Sequence, residues 1–329
     1  MADKQYKWGI IGPGKIAQKF ADAISRSQNS QLYAVASRDL QRATSFIESF
    51  KGQKAYGSYL KLIEDPEVDI IYIATPHSFH YDIAKTCLGH HKAVLVEKPL
   101  TLDAAQTEEL IQLSKSNNTF LMEALWTRFI PMTTSILKTI KSGAIGEITY
   151  IKADFGFNAP YNPQGRLFDP KLGGGSLLDV GIYPLFLSTL LLGSPEQILA
   201  TGRLSEANID LDCQATLRFP NNKTAVIGSS IHYHMPITAE IIGTQGEIKI
   251  PCPWYKNHYY YMRQLNKDCE KVELLPLVNG FEYEINEAIN CLAKSQSESA
   301  RWSHQASLDL AKIMDEIKRQ IGVQYPSKL

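Results

Sequence analysis

Two hydrophobic rhythms divide this chain. Over residues 1–124, short apolar runs of strand length alternate with stretches whose apolar residues recur three and four apart. Tyr6–Ile11 is an apolar run ending at Gly12, and Lys15–Ser27 then sets Ile16, Phe20, Ala23 and Ile24 on one helical face. Gln31–Ala36 reads as a strand and Leu40–Phe50 as a helix. Val68–Ala74, bounded by Pro66 and Pro76, is a β-branched strand, and Phe79–Leu88 is helical. Ala93–Val96 is a short buried strand, Leu102–Ser116 a helix and Phe120–Ala124 a last strand. This order predicts a parallel sheet covered by helices on both faces.

Residues 125–329 follow a different rhythm and predict a second, α+β domain. Pro131–Ser142 reads as a helix and Glu147–Phe157 as a long strand, and Asn158–Leu172 is broken by Pro160, Pro163, Gly165 and Pro170. Gly173-Gly174-Gly175 precedes a helix over Ser176–Leu192. Strands are then expected at Gln197–Arg203, Leu211–Phe219, Thr224–Tyr233, Thr238–Ile242, Glu247–Ile250, Tyr259–Gln264 and Lys271–Leu275. Strands in succession without helices between them predict a large, mostly antiparallel open sheet. Two helices close the chain, one striped by Phe281, Ile285, Ala288, Ile289 and Leu292, the other over about 303–321 and expected to pack back on the first domain.

Composition removes several function classes. The 329 residues hold 34 basic and 34 acidic side chains, so no basic footprint for nucleic acid exists at the level of the whole chain. Five cysteines, none in CxxC spacing, argue against a disulfide framework or a zinc ribbon and suit a reducing compartment. The polar start Met1–Trp8 lacks the apolar stretch of a signal peptide, and the greasiest segment, Leu185–Leu192, is short of the ~20 residues of a membrane helix. A cytoplasmic protein without membrane or nucleic-acid partners is expected.

The sharpest motif is Gly12-Pro13-Gly14-Lys15-Ile16-Ala17, a GxGxxA directly after a strand and opening a helix. Gly12 allows the tight turn, Gly14 the approach of a pyrophosphate, and Ala17 close helix–strand packing, with the first amides of the helix left for phosphate. The alternative is a plain structural turn. The second strand ends at Val35-Ala36 followed by Ser37-Arg38-Asp39, with a hydroxyl and a guanidinium where an NAD-specific site places an acid. Ser37 and Arg38 suit the 2′-phosphate of NADP, and NAD suits them less; the bland alternative is a solvated Arg38 with Asp39 reaching the ribose. Thr75-Pro76-His77, with His80 in the next helix, and Glu97-Lys98-Pro99 lie at C-terminal strand ends, where open α/β sheets bind ligands. Lys98 reads as a catalytic lysine or as solvated surface. Asp179 and Tyr183, four apart, share a helix face beside the glycines; a satisfied structural aspartate is the alternative. Trp126, Arg128 and Phe129 are expected to face the crevice, and Phe155, Phe157 and Tyr161 to line a pocket or else pack in the core. His232 and His234 share a face of a predicted strand without a third ligand at metal spacing, so no metal site is expected.

Taken in order, the GxGxxA turn, Ala74-Thr75-Pro76-His77, Glu97-Lys98-Pro99 and the Asp179…Tyr183 helix resemble the Gfo/Idh/MocA oxidoreductase family over nearly the whole chain. Many members carry a histidine four residues after the helix aspartate. Tyr183 at that place, with Glu123–Phe129 after the last strand of the first domain, is similar to the branch of dimeric dihydrodiol dehydrogenases and NADP-dependent D-xylose dehydrogenases. The resemblance implies a Rossmann domain and Lys98 with Tyr183 as the catalytic pair. It implies cofactor contacts from the Gly12–Ile16 turn, Ser37, Arg38, Thr75, Pro76, His77, His80, Glu97, Lys98, Trp126 and Arg128. Trp126, Phe129, Phe157, Asp179 and Tyr183 would meet a sugar or a cyclic diol, and the second sheet would form a homodimer. Nothing like the N-terminal extension of glucose–fructose oxidoreductase precedes Lys4, so an exchangeable cofactor is expected. The competing class is a non-catalytic NADP-sensing regulator on the same fold.

Overall fold

A computed structural model describes residues 4–326. The chain divides into two compact units: residues 1–129 with 279–308, and residues 130–278 with 309–329. The cut expected at 124/125 falls five residues earlier than the first crossing, and the segment Asn279–Leu308 groups with the first unit.

The first unit is built on six parallel strands in the order β3-β2-β1-β4-β5-β6: β1 (Tyr6–Ile11), β2 (Ser30–Ala36), β3 (Lys54–Tyr56), β4 (Ile70–Ile73), β5 (Ala93–Glu97) and β6 (Leu121–Ala124). Strands buried on both faces need apolar residues at every position, and Ile70–Ile73 supplies four in a row. One face, through Ile11, Ile71, Ile73, Val94 and Val96, packs on α4 (His80–Gly89) and α5 (Ala104–Ser116). On the other, Phe20 of α1 (Lys15–Arg26) stacks on Tyr72 at 3.6 Å and meets Trp8 edge-on at 5.2 Å. Helix α8 (Glu282–Ala293) packs on α1, and Asn279 Nδ2 donates to Lys19 O and to Asp22 Oδ2, both at 2.9 Å. The returning segment also closes the β6 edge, where Leu121 N donates to Ser297 O.

β3 and the short α3 (Tyr59–Ile63) were not legible as elements. Three half-exposed residues carry no period, and β3 exists because Ala34, Val35 and Ala36 offer it a ladder. The strand order turns outward in both directions from β1 and β4, which puts the switch point of the sheet at the C-terminal ends of these two strands.

The second unit holds an eight-stranded sheet in which β7 (Ile148–Gly156) and β10 (Lys223–Ser230) form the one parallel pair. From one edge the order is β14 (Cys269–Glu273), β13 (Tyr259–Gln264), β12 (Gly246–Ile250), β11 (Ala239–Gly243), β7, β10, β9 (Asp210–Phe219) and β8 (Gln197–Leu204). Helices α6 (Pro131–Lys141) and α7 (Ile182–Leu192) line one small cavity through Met132, Ile136 and Leu187, with Trp254 beside them. The helical run Pro170–Leu192 is long and apolar enough to cross a membrane by length and composition alone; here most of its apolar window is buried, and α7 packs on β7 and β10. The last helix, α9 (His304–Ile321), begins in the first unit and continues in the second from Asp309.

One expected strand is shorter than its apolar pattern suggests. β10 stops at Ser230 because the Ser230 hydroxyl accepts from His232 N and Tyr233 N, both at 3.0 Å, and turns the chain. His232 and His234 are therefore exposed residues outside any strand, and they share no strand face.

Candidate functional site

Candidate residues gather at two places, one in each unit. In the first, β1 runs into Gly12 at φ +93°, where a Cβ would lie 2.9 Å from the Ala74 carbonyl oxygen and 3.0 Å from Thr75 Cγ2. Only glycine accepts both that φ and that neighbour. Gly14 caps α1 with extended backbone, no side chain bonds the free amides, and a Cβ there would meet nothing within 4 Å. The turn thus presents uncapped N–H groups and the positive end of a 12-residue helix to open space, which is what an anion requires. Ala17 is fully buried, and Lys15 is exposed beside the turn. Thr75 Oγ1, at the end of β4, is buried without a hydrogen-bond partner, a second mark of a group that binds here.

At the end of β2 the structure separates Arg38 from Asp39. Asp39 caps α2 (Leu40–Ser49), its Oδ1 accepting from Gln41 N at 2.9 Å and Arg42 N at 3.4 Å, so this oxygen does not await a ribose. Ser37 is buried, and its hydroxyl accepts from Asp39 N at 3.2 Å. Arg38 is exposed with its guanidinium 5.5 Å from the Phe79 ring. A guanidinium lying over a ring and no free acid beside it suit a phosphate-bearing ribose.

The Glu97-Lys98-Pro99 turn is held from below. Glu97 accepts from the Tyr72 hydroxyl and, through Oε2, from Lys98 N at 3.2 Å. The Lys98–Pro99 peptide is cis. His80, expected at the cofactor, is instead wholly buried: Nδ1 lies 2.8 Å from Pro99 O and Nε2 2.9 Å from Thr75 O. Burial, more than anything else, pulls its imidazole below the ordinary value against the two carbonyl contacts, and the ring braces the Thr75 and Pro99 turns. Glu97 is likewise a brace rather than an open ligand. His77, buried, meets the His80 ring edge-on at 5.8 Å.

After β6, Trp126 stacks on Phe281 at 5.0 Å with the rings 6° from parallel, and Gly280 at φ +102° makes room for the indole. Arg128 Nε donates to Arg301 O at 2.7 Å; burial, and then the neighbouring Arg301, pull this guanidinium down to about 10. Phe129 is buried with the Arg301 guanidinium 5.1 Å from its ring, which makes it core rather than an open substrate wall. Two further acids are buried here, Glu123, which opens the Glu123–Phe129 stretch, and Glu284, which had no sequence signal. Glu123 accepts from Leu100 N at 2.9 Å, Trp302 Nε1 at 3.2 Å and Ser307 Oγ at 2.7 Å. Glu284 has both carboxyl oxygens buried and unpartnered, and burial, with Glu97 nearby, raises it far above the carboxylate range, so it is neutral.

In the second unit the helix carrying Asp179 and Tyr183 starts as a π turn, Leu177–Gly181, that runs into α7. Asp179 is buried and accepts from Arg166 Nη1 at 2.9 Å. Arg166 comes from the proline-rich loop, and the loop's irregular sequence gave no hint of this pairing. Tyr183 is 7% exposed, its ring 5.4 Å from both Phe155 and Tyr255, which stack on each other at 4.4 Å. Tyr255 has no sequence signal, since its position comes from a short 3-10 turn, Trp254–Lys256. Phe157 packs on the cluster of Ala159, Phe168, Ile209 and Ile231, and Tyr161 is 68% exposed, edge-on to Phe168. No group of three His, Cys, Asp or Glu side chains arranged to hold a metal occurs among the described residues.

A doubly wound parallel sheet with an uncapped glycine cradle at its switch point defines a dinucleotide-binding protein. Family models agree: residues 6–125 match the Gfo/Idh/MocA oxidoreductase family, NAD-binding Rossmann fold, and residues 134–249 match its C-terminal domain. The chain belongs to the Gfo/Idh/MocA family of oxidoreductases. It is 36% identical to trans-1,2-dihydrobenzene-1,2-diol dehydrogenase of Xenopus tropicalis, over 97% of this chain and 99% of that one. Among solved structures it is similar to KijD10, a 3-ketoreductase from Actinomadura kijaniata in complex with NADP and TDP-benzene (25% identity, 97% and 98% coverage, TM-score 0.87). The aldose-aldose oxidoreductase of Caulobacter crescentus, at 24% identity and 96% and 97% coverage, shares the fold with a TM-score of 0.86.

One acid in the second unit gives a pH signature. Burial pushes Asp210 up to about 6 from the ordinary 3.8, against hydrogen bonds from Ser176 and Leu177 that pull it down. Between these values the folded protein holds a proton that the unfolded chain has released, so stability falls as pH rises through this window and levels off above it. Chemical denaturation of the wild type and of Asp210→Asn, from about pH 4 to about pH 7, should show the wild type losing stability relative to the variant up to about pH 6 and then running parallel. Curves parallel throughout would remove Asp210 as the cause.

Proposed function

We propose that the protein is an NADP-dependent dehydrogenase acting on a hydroxyl-bearing carbon of a trans-dihydrodiol or a sugar. The carrying observation is the cradle: Gly12 seated against Ala74, the uncapped amides of α1, and the orphaned Thr75 hydroxyl suit a pyrophosphate. Exposed Arg38 with Asp39 committed to α2 favours the 2′-phosphate form. Bound NADP supplies a nicotinamide that takes up hydride from the substrate carbon.

The proton is assigned to the chain. A free phenol near pKa 10 is a weak base at neutral pH and a good proton donor to a carbonyl oxygen. Tyr183 of the second unit is assigned the hydroxyl proton at its Oη, and Lys98 of the first unit a hydrogen bond to an oxygen of the bound reactants. In the reverse direction Tyr183 returns the proton to a carbonyl oxygen. Asp179, with Arg166 on one oxygen, orients a substrate hydroxyl. The Phe155 and Tyr255 rings beside Tyr183 suit a flat diol ring or the C–H face of a sugar. The diol has the stronger support, from the 36% identical relative.

Absorbance at 340 nm, with NADP and a panel of trans-1,2-dihydrobenzene-1,2-diol, D-xylose and D-glucose, tests the reading. Turnover of the diol is expected; NADP binding without turnover of any of these would overturn it in favour of a cofactor sensor. Tyr183→Phe and Lys98→Met should each lose on the order of a hundredfold or more in kcat with NADP affinity kept. Full activity in either would take that residue out of the mechanism. Arg38→Ala should raise the Kd of NADP by about ten- to a hundredfold and leave that of NAD nearly unchanged. Equal weakening of both would end the 2′-phosphate assignment.

A homodimer through the eight-stranded sheet is part of the same proposal. Leu199 (58% exposed) and Tyr261 (39%) lie at the two sides of that sheet. Sedimentation velocity should give a dimer that Leu199→Glu with Tyr261→Glu dissociates, and a wild-type monomer would refute it.

A further inference from the structure

The helix that carries Asp179 and Tyr183 has an unusual beginning. Its first residues come from a glycine-rich turn, its first five helical residues form a π turn, and no residue within it caps its amides. The capping group is brought from elsewhere in the unit. Asp210, at the start of β9 and fully buried, accepts from Leu177 N at 2.6 Å and Ser176 Oγ at 2.7 Å through Oδ2. Ser176 Oγ also lies 2.9 Å from Ser229 Oγ of β10, so the start of the helix is pinned to two strands.

The other oxygen of Asp210 is buried and unpartnered and faces Gly175. Gly175 sits at φ +122°, and a Cβ there would lie 2.2 Å from Asp210 Oδ1 and 3.3 Å from the Tyr325 hydroxyl oxygen. Tyr325 arrives from the far end of the chain, after Gly322 at φ +85° and Val323 N bonded to Lys318 O end α9. Its hydroxyl donates to Gly174 O at 2.7 Å, and its ring packs with Phe168, Ile209 and Ile231. Burial, with Asp210 beside it, raises this phenol well above its ordinary value, so it remains a donor. The turn is closed from its other side by Gly174 N to Asp169 O at 3.1 Å and Gly175 N to Leu167 O at 2.9 Å.

We infer that Tyr325 and Asp210 are positioning residues, a strap from the C-terminal segment and a cap from β9 that clamp Gly174–Leu177 and so fix where Asp179 and Tyr183 point. The inference rests on the reading of Tyr183 as the proton-transfer group. Both residues act through the backbone between Gly174 and Leu177, which their hydrogen bonds reach directly. A mispositioned phenol lowers the chemical step while leaving the glycine cradle of the first unit, and hence cofactor binding, untouched.

Tyr325→Phe keeps the packed ring and deletes one hydrogen bond. Loss of one neutral bond in the buried turn should lower kcat with trans-1,2-dihydrobenzene-1,2-diol and NADP by about tenfold. The NADP Kd, read by fluorescence titration, should change by less than about twofold. The amides of Gly175 and Leu177 should exchange hydrogen faster in the variant, a readout independent of turnover. In a Tyr183→Phe background the effect of Tyr325→Phe on residual kcat should nearly vanish, because the two act as one unit. Unchanged exchange at these amides and unchanged kcat would overturn the strap, as would a loss that simply adds to that of Tyr183→Phe. Full activity of Tyr183→Phe alone would overturn the site reading and the strap with it. A normal loss there beside a silent Tyr325→Phe would overturn the strap only.

Discussion

The end of β1 lies so close to the Ala74 carbonyl that no side chain fits at Gly12. That single approach sets most of the geometry at the ligand-facing end of the first unit. It turns the backbone at positive φ, which aims the axis of α1 at the switch point of the sheet and leaves its first amides without protein partners. A protein normally caps such amides, since an unbonded helix end costs stability. Here the cap is omitted, and the same unsatisfied dipole becomes the attraction for a phosphate.

Around this cradle, buried polar groups serve as braces. His80 spans the Thr75 and Pro99 turns, Glu97 ties its own loop to Tyr72, and Glu123 gathers Leu100, Trp302 and Ser307. Each holds a strand-end turn that side chains in open solvent could not hold. The cost of burying such groups is offset because their hydrogen bonds are made; Glu284, which makes none, remains neutral instead. The second unit uses the same device at the start of the Tyr183 helix, where Asp210 is the cap.

The sheets show why some readings were secure. A run such as Val-Asp-Ile-Ile-Tyr-Ile-Ala has one reasonable use in a βαβ context, and GxGxxA after a strand has one steric meaning. Phe129 and Phe157 show the opposite. Both are aromatic residues near a motif, and their sequence surroundings do not distinguish a pocket wall from core; Phe129 is buried with Arg301 over its ring, whereas Phe157 is partly buried with one side on the Phe168 cluster. His80 was drawn to the site by its neighbours in sequence, and only its two carbonyl partners, one of them Pro99, 19 residues away in sequence, show it to be structural.

The sequence alone determined the alternation that makes a parallel sheet, the glycine turn, the absence of an acid at the end of β2, and the candidate pair Lys98 and Tyr183. These are local or periodic features, set by steric rules over a few residues. Tertiary structure decided what depends on residues far apart in the chain. It sent Asn279–Leu308 back to the first unit, paired Arg166 with Asp179, set Tyr255 beside Tyr183, and brought Tyr325 to Gly174 across 151 positions. A one-dimensional pattern records which face of an element is apolar, but not which distant group will arrive to satisfy a buried amide or carbonyl, and that is where this protein's site is assembled.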